Sequence, residues 1–248
     1  MNKRRILLAL GIPVLLLGAA VAPFAAAFVG ITPLQERELL PGVHIVLDGY
    51  TSVALIEVGG GKLALVDAGN DPSGAPILAA IEARGAQAQD VVAVFLTHGH
   101  PDHVAACGLF PDATTWVGEA ELPYLRGERA YHGPLPSLFG AQVAPCARLQ
   151  GARDGQEIPV GERTFTARAL TGHTAGSTAW QVGEALFVGD AATIKGDRLV
   201  GPPWVLSDDL DLARASLKAL ATRLDPPPAW VVPSHSGAAR GEALSGWR

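Results

Sequence analysis

The chain holds two cysteines in 248 residues, Cys107 and Cys146, and no C-x-x-C pair. A zinc site built from clustered thiolates needs such pairs and is excluded. Two thiols allow one disulfide, as a translocated protein would carry, or two separate buried thiols, and their spacing does not decide between these. Positive charge is also scarce: 19 Lys and Arg stand against 24 Asp and Glu, a net charge of −5. Without residues 1–27, which hold three basic side chains and no acidic one, the balance is 16 against 24, or −8. A nucleic-acid binder normally carries a basic face that displaces counterions, and this composition has no surplus for one. No internal repeat at a solenoid period is visible. No charged side chain occurs between Ile6 and Ile31.

That charge-free run follows the basic cluster "NKRR" directly. It reads as a secretory leader cut at the A-x-A site Ala25-Ala26-Ala27, or as a membrane anchor. The anchor reading rests on the apolar run continuing through Phe28, Val29 and Ile31, long enough to cross roughly 30 Å of hydrocarbon. Both readings keep the basic end in the cytoplasm and make the remainder extracytoplasmic: periplasmic, secreted, or membrane-associated through the N-terminal helix. A buried core helix is disfavoured by Pro13 and Pro23 and by the absence of a polar face. The expected organisation is a leader or anchor over 1–31, a polar connector over 32–42, and a catalytic domain over 43–248. With 48% hydrophobic residues the chain can bury a sizeable core and shows no sign of disorder.

From Val43 the pattern changes to short β-rich runs, "HIVLD", "SVALIEV" and "KLALVD", separated by glycine-bearing turns, which predicts an antiparallel meander. "APILAAIEARG" has apolar residues at helical spacing and leads into the continuous apolar run "VVAVFLT" (Val91 to Thr97), a helix followed by a buried strand. Glu119 to Gln156, rich in Pro, Gly and aromatics, reads as short helical pieces in a long loop. Strands are then expected at Thr164–Leu170, Ser177–Val182 and Ala185–Asp190, a helix at Asp208–Leu224, and a last strand at Ala229–His235. Strands, helix and strand recur loosely in both halves, the pattern of an α/β protein with helices outside two sheets.

Seven histidines occur in the chain, and three of them fall within "THGHPDH", with a carboxylate between. Neutral imidazole and carboxylate are the ligands that suit zinc and its first-row neighbours. His98, His100, Asp102 and His103 come just after a buried strand, as do His173 after "ARALTG", Asp190 ending "ALFVGD", and His235 ending "WVVPS". Positions just past strand ends are where α/β architectures place their chemistry.

Together, "VDAG", "THGHPDH", "GHTAGS", "FVGDA" and "VPSH" resemble the five motifs of the metallo-β-lactamase superfamily, over a span from about Val43 to Gly237. The resemblance implies an α/β, four-layer αββα sandwich with the active site along one edge. It also implies that His98, His100 and His173 bind a first metal ion, that Asp102, His103 and His235 bind a second, and that Asp190 bridges them. The cofactor so implied is a pair of zinc ions, with iron or manganese as other first-row occupants. Three neutral imidazoles leave one tetrahedral position open, the arrangement of a catalytic zinc. Asp67 is expected to hold a ligand histidine or its loop, and Gly69 and Gly176 to serve turns.

The expected chemistry is hydrolysis of an ester, thioester, lactone or related bond in a small-molecule substrate, with Asp102 or a metal-associated water handling the proton. A carboxylate at Asp190, where several zinc β-lactamases have Cys, is similar to thioesterases, lactonases and phosphodiesterases. His100 disfavours the diiron oxygen reductases of the superfamily, which have Glu there. Thirteen residues after His235 leave little room for the helical extension with which hydroxyacylglutathione hydrolases hold glutathione. The alternatives are a mononuclear iron sulfur dioxygenase-type oxidoreductase and a β-lactam hydrolase. Tyr124, Tyr131, Leu135, Leu138 and Phe139, with Trp116 and Trp204, are candidates for an apolar substrate wall, and His132 for lining the cleft, although ordinary packing accounts for each alone. His44 is read as a structural strand residue.

Overall fold

Why the strand candidates are apolar on both faces becomes clear from where alternate residues go. A computed structural model describes residues 25–247. In β3 (Thr51–Gly59), Ala54, Ile56 and Val58 enter one cluster of buried side chains while Val53 and Leu55 enter another. In β11 (Ala185–Gly189), Ala185 and Phe187 enter that first cluster while Leu186 and Val188 enter a third. Successive side chains of a strand face opposite ways, so both strands lie in sheets covered on both faces. Three apolar interfaces need four layers, here helix, sheet, sheet and helix.

The first sheet has seven strands in sequential order: β1 (Arg37–Leu40), β2 (Val43–Asp48), β3, β4 (Lys62–Val66), β5 (Val91–Phe95), β6 (Thr114–Gly118) and β7 (Leu149–Ala152). Its first four strands are antiparallel and its last four run parallel. The second has six, ordered β15-β14-β11-β10-β9-β8, from β8 (Glu157–Val160), β9 (Arg163–Ala169), β10 (Thr178–Val182), β11, β14 (Trp230–Pro233) and β15 (Ala239–Arg240). In that sheet only β11 and β14 pair in parallel. A two-stranded ribbon, β12 (Thr193–Lys195) and β13 (Arg198–Val200), stands apart.

Between the sheets Phe95 stacks on Phe165, ring centroids 3.9 Å apart, and meets the edge of Trp180 at 4.8 Å. Trp180 is fully buried, and its indole N–H donates to the Leu96 carbonyl at 2.9 Å. A buried indole needs such a partner, and this one ties the second sheet to the chain just past β5. Helix α1 (Ala75–Glu82) covers the first sheet with Ile77 and Ile81, one turn apart. The helical spacing of Ala213, Leu217, Leu220 and Ala221 gives α4 (Leu210–Arg223) its buried stripe on the second sheet, and Asp209 caps it by accepting from Leu212 N at 2.9 Å. Two four-residue helices, α2 (Pro101–Val104) and α3 (Leu122–Leu125), lie between strands.

The meander, both long helices and the strands expected at 91–97, 164–170, 177–182, 185–190 and 229–235 are present within a few residues. Strands β6, β7, β8, β12, β13 and β15 add to that reading. They are short and carry Gly, Pro or charge, so no apolar alternation marked them. Part of the expected connector is structured, since β1 pairs Arg37 with Ile45 and Glu38 with His44 at the sheet edge. The N-terminal apolar helix, as leader or anchor, falls mostly on residues outside those described. Among the described residues no helix is long and apolar enough to cross a membrane. Residues 25–28 form a helical turn, and the chain that follows is held against β12: Lys195 Nζ donates to the Ala27 carbonyl at 3.0 Å, and Thr32 N to Ile194 O at 2.8 Å.

Cys107 and Cys146 form a disulfide, with Cα atoms 4.9 Å apart. It fastens the long loop before β7 to the turn after α2, across 39 residues of sequence. Closing a loop of that length in the unfolded chain is worth about 3–4 kcal/mol in the chain-entropy account. Replacing both cysteines by alanine is expected to lower unfolding free energy by about 3 kcal/mol in urea titrations, and an unchanged midpoint would refute the assignment of this stabilisation.

Candidate metal centre

Each expected ligand sits just past the C-terminal end of a strand on one edge of the sandwich: the 98–103 segment after β5, His173 after β9, Asp190 after β11 and His235 after β14. Locally, His100 has extended backbone (φ −63°, ψ 149°) and Pro101 occupies the first turn of α2. Proline's fixed φ starts a helix there without loss of a hydrogen bond, and so the chain turns at once from strand to helix through the H-x-H-x-D-H segment.

The structure brings all seven predicted residues together. His98 Nε2 lies 2.9 Å from His100 Nδ1, and His173 Nε2 lies 3.2 Å and 3.1 Å from those two atoms. Three nitrogens bound to one tetrahedral zinc at about 2.05 Å would be roughly 3.3 Å apart. The triangle thus has the dimensions that one such ion would need. A second group is formed by Asp102, His103 and His235 and meets the first through Asp190. His235 Nε2 is 3.2 Å from Asp102 Oδ2 and 3.2 Å from Asp190 Oδ2. His103 Nε2 is 3.4 Å from Asp190 Oδ1, and His173 Nε2 is 3.8 Å from Asp190 Oδ2. Asp190 therefore faces residues of both groups, and its carboxylate would be the one they share.

Two observations fit these residues to metal ions. His103 Nε2 and Asp190 Oδ1 are buried and without a hydrogen-bond partner, although they face each other. Such orphaned atoms are costly unless something satisfies them. Second, the rings divide by protonation. Burial holds His98 well below its ordinary range and brings His100 to about 3 and His173 to about 4, so all three are neutral and carry free lone pairs. Burial would also lower His103 and His235, but the carboxylates outweigh it. Asp190, Asp67 and Asp102 raise His103 well above its usual value, and Asp190 and Asp102 raise His235 to about 10. In return, His103 and His235 hold Asp102 down at about 2 against the opposing effect of its burial. Protons on these two rings thus occupy the charge position that a cation takes.

The ring orientations are set from behind. His103 Nδ1 donates to Asp67 Oδ2 at 2.8 Å, and His235 Nδ1 to the Tyr50 carbonyl at 2.8 Å, so both present Nε2 to the site. His98 Nδ1 lies 3.1 Å from Thr97 Oγ1, whose hydroxyl is in turn within 3.0 Å of both Asp67 oxygens. Asp67 also accepts from Thr97 N at 2.7 Å and Ser234 Oγ at 3.1 Å. The expectation for Asp67 is met, in a residue held at φ +62°. Gly69, at φ +68°, is the expected turn glycine, and it leads the Asn70 and Asp71 amides onto Asp48 Oδ2.

Glu121 and Tyr50 escaped the sequence reading. Glu121 is fully buried and accepts four hydrogen bonds: Gly99 N at 3.0 Å and Tyr131 Oη at 2.8 Å on one oxygen, Thr174 Oγ1 and Gly176 N, both at 2.8 Å, on the other. It clamps the loop between His98 and His100 to the loop after His173. Gly176 is required here, because a Cβ would meet the Glu121 backbone. Tyr131 stands edge-on to His100, centroids 4.5 Å apart, and Tyr50 stacks on His235 at 5.7 Å. No motif marks either Glu121 or Tyr50. A buried glutamate preceding a β-poor loop has no periodic signature.

A cavity of about 670 Å³ opens onto His100, Asp102, Asp190 and His235. Of the candidates for its wall, Leu135 and Phe139 are there. Tyr124 is instead buried against Tyr131, Trp116 packs on the core between the sheets, Leu138 is exposed, and Trp204 borders a neighbouring groove. His132 does not line the cavity; its amide donates to Asp208 Oδ1 at 2.7 Å. His44 lies in β2, 3.3 Å from Glu57 Oε1. Phe28 and Ile31 complete the wall, although they belong to the stretch read as leader or anchor.

Two outcomes are expected from this network. Asp67→Asn, which turns an acceptor into a donor opposite His103, should weaken zinc binding about 10- to 100-fold in chelator competition. Zinc uptake by the second group should release about two protons at pH 7, from His103 and His235, in calorimetry across buffers of different ionisation enthalpy. Zinc should therefore be lost from that group first as pH falls, and a release indistinguishable from zero would contradict the charge assignment.

Comparison with known proteins agrees with the fold and the motif. Residues 46–235 match the model of the metallo-beta-lactamase superfamily. The chain is 30% identical over 146 residues to a hydroxyacylglutathione hydrolase of Fuscovulum blasticum (59% of this chain, 46% of that protein) and 40% identical over 124 residues to metallo-beta-lactamase domain-containing protein 1 of Mus musculus (48% and 46%). It spans about half the length of these two relatives. A probable metallo-hydrolase of Bacillus subtilis, YflN, is 26% identical over 214 residues (74% and 81%). Among solved structures, a metallo-beta-lactamase family protein of Thermus thermophilus superposes with a TM-score of 0.66 at 24% identity, covering 83% of this chain and 77% of that one. A B3 metallo-beta-lactamase with an active-site glutamic acid gives 0.65 at 23% identity, covering 90% of both. With 190 consecutive residues matched, from Val46 to His235, this chain belongs to the metallo-beta-lactamase superfamily.

Proposed function

We propose that the protein is a metal-dependent hydrolase acting on an uncharged ester, thioester or lactone that carries an apolar acyl group. The observation that carries this reading is an apolar cavity ending on a set of seven convergent ligands. Phe28, Ile31, Leu135, Pro136, Phe139 and Leu206 form its wall, and the titratable groups His100, Asp102, Asp190 and His235 lie at one place in its lining. Cavities of this size and kind bury small ligands, with a few polar groups fixing orientation. Among the described residues lining it there is no Lys or Arg. A substrate with phosphate or several carboxylates would find no Lys or Arg there to pair with. The likeness to a hydroxyacylglutathione hydrolase favours acyl transfer to water, while this lining favours an acyl group less polar than a glutathione conjugate.

His98, His100 and His173 would hold one zinc ion, Asp102, His103 and His235 a second, with Asp190 shared. Such a pair would lower the pKa of water toward neutrality and polarise a carbonyl oxygen. The chain's own part is to position and to move a proton. Asp102 is half-buried, borders the cavity and is held ionised by His103 and His235, so its carboxylate can accept a hydrogen bond from the attacking water, orient it and relay its proton toward the leaving group. The apolar wall excludes bulk water and strengthens electrostatic interactions within. Extracytoplasmic location is part of the proposal, supported by the uncharged N-terminal run and by the disulfide, which persists in oxidising compartments.

The test is turnover by the zinc-loaded protein of aryl esters, thioesters, lactones, a phosphodiester and a chromogenic β-lactam, with His100→Ala as control. We expect uncharged acyl substrates to be hydrolysed and the control to lose on the order of a hundredfold or more. Across a series from acetyl to octanoyl, kcat/KM should rise by up to about fourfold per methylene buried against the wall. If wild type and control are equal on every class, the hydrolase reading fails.

A further inference from the structure

We infer that the mouth of this cavity seats on a lipid bilayer, with Phe28, Val29, Leu138, Phe139 and Val143 as the apolar rim in contact with the membrane. These five are 46%, 68%, 75%, 64% and 76% exposed. Phe28 and Phe139 line the cavity itself, Val29 and Leu138 adjoin them in sequence, and Val143 follows the lining residue Gln142. Single exposed apolar residues are ordinary, but several around one opening mark an interaction surface.

Charge makes the same selection. Residues 133–147, which supply Leu138, Phe139 and Val143, contain no charged side chain, and neither do residues 199–206, which supply the lining residues Pro203 and Leu206. Surface loops of a chain with 43 charged residues, 19 basic and 24 acidic, are not expected to be so bare unless charge is unfavourable there. Lipid hydrocarbon penalises charge, while a solvated loop does not.

The occupant is indicated by the chain that leads to the rim. Residues 6–31 are uncharged and follow Lys3, Arg4 and Arg5, and this run ends at the cavity wall with Phe28 and Ile31. The described chain is fixed at that point by the Lys195 bond to the Ala27 carbonyl and by pairing of Ile31 with Lys195. A run that enters a membrane therefore meets the domain at the rim, and the bare loops are beside it. Apolar side chains next to a membrane-inserted segment bury in the headgroup and acyl boundary with little further entropic cost, since the segment already holds the domain close.

The test uses the full chain bearing Leu138→Cys or Glu82→Cys, the latter at the end of α1 remote from the strand-end edge, each labelled with an environment-sensitive fluorophore. The native cysteines are joined to each other, so only the introduced thiol reacts. The proteins are placed in vesicles of phosphatidylethanolamine and phosphatidylglycerol, three to one, with or without lipid carrying a shallow doxyl quencher. We expect about twofold or greater quenching at position 138 and none at position 82. An unquenched, water-like signal at 138 would overturn the inference. So would an unquenched but blue-shifted signal, which would mean that a second copy or residues 1–24 cover the rim, and so would equal quenching at both positions. The readout involves no turnover, so its failure leaves the proposed reaction untouched, and failure of the reaction leaves this result standing.

Discussion

The centre depends on one buried carboxylate that binds no metal in this arrangement. Asp67 directly follows β4 and is 1% exposed. It accepts from His103, from the amide and hydroxyl of Thr97, and from Ser234. Those donors belong to three ligand-bearing segments: α2, the chain just past β5, and the chain before His235. A carboxylate buried without partners would cost several kcal/mol, and this one is satisfied only when all three segments are in place. The positive φ of Asp67 fits the same account, because an unfavourable backbone angle persists where surrounding contacts determine it. The strand ends thus converge through a shared acceptor, and Glu121 does the corresponding work for the loops of His98, His100 and His173.

These two carboxylates act on opposite sides of an electrostatic division. Around His98, His100 and His173 burial outweighs every nearby charge, so the rings remain neutral. Around His103 and His235 the neighbouring carboxylates outweigh burial, so the rings take protons. The first group is therefore arranged for a cation without competition, whereas the second must exchange protons for one. The difference follows from direct contact: His235 Nε2 is 3.2 Å from both Asp102 and Asp190 and His103 Nδ1 is 2.8 Å from Asp67, whereas His173 Nε2 is 3.8 Å from Asp190. Asp190 faces both and couples them.

That these seven side chains would converge was legible in the sequence because they are local in the chain or marked by strands. His98 to His103 are contiguous, and His173, Asp190 and His235 each follow an apolar run that ends visibly. Glu121 was not legible, since its meaning lies in Gly99, Tyr131, Thr174 and Gly176, which the fold alone brings to it. The same holds for the wall. Leu135 and Phe139 could be named from an aromatic-rich loop, but Trp116 and Tyr124 from similar surroundings went to packing. Periodicity distinguishes inside from outside in a strand, and it carries no such information for an irregular loop. Short strands such as β7, "LQGA", form because their neighbours offer edges, which the segment itself does not record.

The N-terminal segment joins the site to the two expected fates of that segment, cleavage or anchoring. A cut after Ala27 leaves Phe28 and Ile31 in the chain, and Thr32 keeps its bonds to Ile194 and Gly196 and from Gly237. The cavity wall is therefore common to a cleaved and an anchored protein. What differs is the Lys195 bond to the Ala27 carbonyl, which would be lost with the last residue removed. Cleavage would also create a positively charged α-amino group on Phe28, beside a cavity lining that holds no Lys or Arg among the described residues. A charge there would favour anionic substrates and oppose burial in lipid, whereas an uncut chain keeps the wall apolar. Cleavage at this one bond would thus alter the electrostatics of the cavity without moving any residue of the candidate metal centre.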